Sequence, residues 1–150
     1  MITDTNAAMV AVAQATQQYV VDTRRVLHQI PEVRYATDKT RYLIRHRLLD
    51  MGFQEQKEGE TVVSKTKFQE FPGGIVLDIN YAGATDCLLF RADFDALPVK
   101  EATGLPFASK FDGQMHACGH DVHTAMLLGF VKLVAEGKVQ PIYDLRIVFQ

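Results

Sequence analysis

The stretch FPGGIVLDINYAGATDCLLFRADFD, residues 71–95, decides the architecture. Ile75, Leu77, Ile79 and Tyr81 alternate with Val76, Asp78 and Asn80, the period-two pattern of a strand with one apolar face. The Phe71-Pro72-Gly73-Gly74 tetrad has turn chemistry and joins this strand to an earlier one expected over 61–68. DCLLFRA, residues 86–92, is a short apolar run of the kind buried on both faces of a sheet.

Working outward, helical periodicity takes over. Met9, Val12, Ala13, Thr16, Val20, Thr23 and Leu27 recur on one face of a helix expected over 6–29, with Thr5 or Asn6 as cap and Pro31 forcing its end. A second helix starts at Thr37 or Asp38, carries Leu43, Ile44, Leu48 and Met51, and stops at Gly52, which is suited to a left-handed cap. A third is expected from Val122 to Glu136, and 144–150 returns to a strand. The fold class is therefore α/β, a helix-flanked and mostly parallel mixed sheet. The segment TVVSKTKFQE, 61–70, is polar on one side and reads as a surface hairpin outside the chemistry.

The 150 residues are 47% hydrophobic and 23% charged, enough apolar material for one ordinary core. Sixteen basic residues against 18 acidic ones leave a net charge of -2, which argues against a nucleic-acid footprint. Asp4, Gln14, Gln17 and Gln18 interrupt the first twenty residues where a secretory leader needs a basic start and an apolar core. No run approaches the roughly 18 apolar residues of a membrane span. A cytoplasmic setting is expected, with Cys87 and Cys118 reduced.

Chemistry concentrates in MHACGHDVHTAMLLG, residues 115–129, where three of the five histidines and one of the two cysteines fall between His116 and His123. Were 116–120 extended, His116, Cys118 and His120 would point to one side, and Gly119 would let the loop bend around an ion. Thiolate and imidazole are ligands that zinc and other late divalent metals prefer. Two alternatives stay open: a satisfied structural cluster, and nucleophilic catalysis by Cys118 with a histidine as base. In RADFDALP, 91–98, Asp93 and Asp95 follow a strand at i and i+2, so both carboxylates can face the crevice at its carboxyl end, or serve as turn caps before Pro98.

Four pieces together, RRVLHQIPE at 24–32, RADFDALPVKE at 91–101, TGLPFASK at 103–110 and MHACGHDVHTAMLLG, resemble the aminoacylase and carboxypeptidase family of metallopeptidases. The likeness is to its amidohydrolase branch, which includes hippurate, N-acyl-amino-acid and auxin-conjugate hydrolases. The resemblance implies the N-terminal part of a zinc-exopeptidase-like catalytic domain, with the rest of that domain and a lid or dimerisation domain beyond Gln150. It implies a small-molecule N-acyl amino acid as substrate, two divalent ions (zinc, manganese, nickel or cobalt), and a homo-oligomer for the full-length protein. Cys118 and His120 are then metal ligands, Asp95 an orienting carboxylate, and Asp121 a support for a ligand. Asp93 stands at a ligand position normally held by histidine; it, His116 and His123 are further candidate ligands or supports. His28 and Glu32 match a recurrent motif for which a structural role is expected, and His123 and Thr124 either contact the site or cap the third helix. The family's general base, a glutamate, would follow Gln150, so the alternative function is a non-catalytic form that binds metal or a partner.

Overall fold

The computed structural model describes residues 2–57 and 65–150; the part of the expected first strand at 61–64 lies outside the described residues. Three helices, α1 (Ile2–His28), α2 (Asp38–Asp50) and α3 (His120–Ala135), combine with strands β1 (Gln54–Glu55), β2 (Thr66–Phe71), β3 (Gly74–Ile79), β4 (Cys87–Ala92) and β5 (Asp144–Phe149). The strands form one five-stranded sheet in the order β1-β2-β3-β5-β4. Parallel pairing joins β1 to β2 and β4 to β5, while β2–β3 and β3–β5 are antiparallel. The expected helix-flanked mixed sheet is present, with half of its pairings parallel rather than most.

Register explains the core. Ile75, Leu77 and Ile79 pair with Phe149, Ile147 and Leu145, and Leu88, Phe90 and Ala92 continue that row on β4. Since side chains alternate, these residues share one face, and it is there that Ile44 and Leu48 of α2 and Leu128 and Val131 of α3 pack. The opposite face carries Lys67, Gln69, Asp78 and Arg146; an Arg146–Asp78 bidentate pair at 2.7 and 2.9 Å crosses it. Among the described residues, helices thus cover the sheet on one side only.

That arrangement corrects the expectation for 86–92. β4 is an edge strand, not one buried on both faces: Leu89, on the open face, is 63% exposed, and of the six residues only Ala92 is buried. Phe90 meets Phe130 of α3 at a ring separation of 5.0 Å. The apolar run marks the side it shares with α3 and leaves the other side uncovered.

Helix limits follow local chemistry with two exceptions. α1 ends at His28, ahead of Pro31, and α2 ends before Gly52, whose φ of 89° only glycine adopts freely. α1, however, begins at Ile2, so Thr5 and Asn6 lie within it rather than at its start. α3 begins at His120, two residues early, because Gly119 at φ 114° turns the chain into the helix. α1 crosses α3 closely at Gly129, where a Cβ would come within 2.5 Å of Val20 Cγ2.

Candidate metal centre

The carboxyl ends of the parallel strands β4 and β5 lie side by side, tied by Gln150 N–H to Ala92 O at 3.0 Å and Phe94 N–H to Gln150 O at 3.1 Å. The 93–97 segment leaves β4 here. Ala96 N–H donates to Glu32 O at 2.7 Å, Leu97 pairs with Met115, and Thr124 Oγ1 of α3 donates to Asp93 O at 2.9 Å. Segment and first turn of α3 are therefore held against each other at the carboxyl end of the sheet, where ligands bind in open α/β folds.

Asp95 Oδ1 lies 2.8 Å from His120 Nδ1, with Asp95 O at 3.0 Å from the same nitrogen. The ring is thereby oriented with Nε2 facing Asp93 Oδ2 at 3.7 Å. Asp93 Oδ1 accepts from His123 Nδ1 at 2.7 Å, and Arg91 Nη1 stands 3.6 Å from Oδ2. Partial burial favours a neutral Asp93, but the His123 hydrogen bond and the charges of His120, His123 and Arg91 outweigh it and hold the carboxyl below the usual range. His123 contacts Asp93, and Thr124 pins the loop; neither caps α3. A groove lined by Arg34, Tyr35, Thr37, Arg91 and Gln150 opens beside Asp95.

His116, Cys118 and His120 do not converge as an extended segment would bring them. Ala117 N–H turns back to Met115 O at 2.9 Å, Gly119 takes its positive φ, and His120 is already helical, so the period of two is lost. His116 is 4% exposed with neither ring nitrogen partnered, whereas Cys118 is an exposed free thiol. Burial pushes His116 down to about 4, against the opposing pull of Asp121, and leaves it neutral at pH 7. Among the described residues, no three His, Cys, Asp or Glu side chains gather closely enough to hold an ion.

Asp121 supports helix α1 rather than touching His120. Its buried Oδ2 accepts from Arg24 Nε at 2.8 Å and His28 Nδ1 at 2.7 Å. His28 Nε2 faces Glu101 Oε1 at 3.3 Å, and Glu101 also accepts Ser109 N–H at 2.6 Å and the Thr103 hydroxyl. Burial raises Glu101, yet the Ser109, Thr103 and His28 contacts prevail and lower it. Glu32 caps α2, its two oxygens accepting the N–H groups of Lys39 at 3.1 Å and Thr40 at 2.8 Å. Arg24 and Glu101 sit inside the motifs of 24–32 and 91–101 but gained no role from the sequence, where each stands beside another charged residue, Arg25 and Lys100.

Residues 89–150 match the family model described as Peptidase family M20/M25/M40. It is 37% identical over 134 residues to the N-acetyl-L-cysteine deacetylase of Bacillus subtilis strain 168, covering 89% of this chain and 30% of that protein. It is 38% identical over 128 residues to the N-acetyldiaminopimelate deacetylase of Geobacillus sp. strain WCH70, covering 85% and 31%. The crystal structure of the Bacillus subtilis YXEP protein, a dinuclear metal-binding peptidase from the M20 family, superposes with a TM-score of 0.75 at 34% identity, over 91% of this chain and 36% of that one. The chain spans about a third or less of the length of the curated relatives it matches. No described helix is long and apolar enough to cross a membrane.

Proposed function

We propose that this chain carries part of the active site of a metal-dependent amidohydrolase that cleaves the amide bond of N-acyl amino acids. The observation that supports it best is the arrangement of His120, whose Nδ1 is engaged by Asp95 while Nε2 faces Asp93 Oδ2 across 3.7 Å. A carboxylate behind an imidazole, with the other ring nitrogen directed at a donor of opposite charge, is how proteins prepare histidine for a divalent ion. Cys118, exposed and two residues away, supplies a sulfur donor. These donor types suit zinc, cobalt, nickel or manganese, with Cys118 and His120 as principal ligands and Asp93, steadied by His123, as a third that must move closer to join them.

Bound divalent metal supplies a water acidic enough to act as nucleophile near neutral pH and polarises an acyl oxygen. The chain's own residues hold that position: Asp95 orients His120, His123 and Arg91 keep Asp93 ionised, and the Arg34, Tyr35 and Arg91 groove offers a cationic approach for a substrate carboxylate. A catalytic zinc centre takes about three protein ligands and a proton shuttle besides. The second reading is a form that binds metal or a partner without turnover.

Equilibrium dialysis against zinc tests the proposal. Bound zinc that falls away in both Cys118→Ala and His120→Ala supports it; zinc retained by both variants, or none bound by the unaltered chain, sinks it.

A further inference from the structure

The first turn of α3 faces two ways. Successive helical residues point about 100° apart, so His120 reaches the Asp93–Asp95 segment while Asp121 turns into the interior. Asp121 is fully buried, and its two oxygens serve three donors: Arg24 Nε and His28 Nδ1 on Oδ2, and Val122 N–H on Oδ1 at 2.9 Å. The helix starts at Gly119, which has no side chain to cap it. Helix ends without caps fray. Asp121 Oδ1 is a second acceptor for the Val122 N–H, which also donates to Gly119 O at 2.9 Å, and Asp121 is anchored from outside by α1.

His28 is held at both ends, Nδ1 on Asp121 and Nε2 on Glu101, with Phe107 edge-on at 5.8 Å and Arg24 above the same ring of Phe107 at 5.1 Å. Packing α1 on α3 needs no charged cluster, since Gly129 and Val20 already make that crossing. The cluster lies instead at the end of the crossing that carries His120.

From this juxtaposition we infer that Arg24 and His28 are positioning residues for the metal centre, clamping Asp121 and so setting the place of His120 relative to Cys118 and Asp93. The inference rests on the proposed metal site. Partners one step removed from a ligand typically change metal affinity by about 10- to 100-fold, and loss of either clamp residue is expected at the lower end of that range.

The test uses the whole chain titrated with cobalt(II), whose visible and thiolate charge-transfer bands report ligand geometry directly. Cys118→Ser identifies the thiolate band. Arg24→Gln and His28→Leu are expected to weaken cobalt binding about tenfold and to shift the visible bands, while His28→Asn, whose amide nitrogen can stand where Nδ1 stands, stays near the unaltered chain. Gly129→Ala serves as the stability control: it lowers the thermal midpoint through the α1–α3 crossing but leaves the bands in place. Circular dichroism verifies that each variant is folded at the assay temperature, and Arg24→Gln, at a partly exposed side chain, keeps the test open should His28→Leu not fold. Unaltered affinity and bands in Arg24→Gln overturn the clamp and leave the metal site standing, as does an equal loss in Gly129→Ala. Absence of a Cys118-dependent band in the unaltered chain overturns the metal site itself, and the clamp with it.

Discussion

Asp95 stands behind His120 with both its carboxylate and its backbone oxygen on Nδ1, at 2.8 and 3.0 Å. Removing the carboxylate leaves the ring free to rotate away from Asp93. Asp95→Ala is therefore expected to weaken zinc binding by about 10- to 100-fold with little change in thermal stability, since the Asp95 side chain is substantially exposed. Competition with a chromophoric chelator measures it; unchanged affinity would remove Asp95 from the site.

Glu32 is expected to matter for stability rather than chemistry. It satisfies two N–H groups in the first turn of α2 from a buried position, a task Thr37 leaves undone. Loss of a helix cap costs roughly 0.5–2 kcal/mol. Glu32→Ala should fall at the upper end of this range in urea unfolding, with Glu32→Gln closer to the parent because it keeps an acceptor.

The pair Arg45–Glu55, with contacts of 2.9 and 2.6 Å, ties α2 to β1. The Arg45 hydrogen bonds hold the Glu55 carboxyl below its usual value despite partial burial. Because the folded-state value is the lower one, the unfolded chain binds more protons in between. The stabilisation is thus complete above about pH 4.3, the ordinary glutamate value, and is lost as pH falls through the folded-state value. Urea midpoints compared between pH 7 and pH 3 should converge for the parent and Glu55→Gln at the acid end. Parallel curves across the whole range would contradict the assignment.

Two leucines separate the covered face of the sheet from the open one. Leu128 is fully buried under α3, and its truncation to alanine should cost roughly 2–5 kcal/mol. Leu89→Ala, on the open face of β4, should change stability by less than about 0.5 kcal/mol. Chemical denaturation of both variants checks the assignment of faces, and a large loss at Leu89 would show that face to be covered.

Much of this was legible because it is local. Pro31 and Gly52 end their helices, Pro72 and Gly73 turn the β2–β3 hairpin, and the alternation from Ile75 to Ile79 marks the buried face. The 86–92 run misled because burial of a strand depends on its neighbours in the sheet, and nothing within DCLLFRA states that β5 lies on one side only. At the site, Asp93, Asp95, His120 and His123 were visible as residue types and do meet. The turn at 116–119 was not visible, since it is imposed by the Leu97–Met115 bridge and the helix start at His120. The Arg24 and His28 contacts to Asp121 span 97 and 93 residues, beyond any pattern read along the chain.

The position of β4 at the margin of the sheet has a practical consequence. Alternate amide and carbonyl groups along Cys87–Ala92 point away from β5 with no strand among the described residues to receive them, and Leu89 stands exposed among them. Such a margin templates further strands, so the handling of the isolated chain is governed by its concentration as much as by its folding equilibrium. Dilute samples and conditions that disfavour intermolecular β pairing are the ones in which the metal chemistry of Cys118 and His120 can be measured free of self-association.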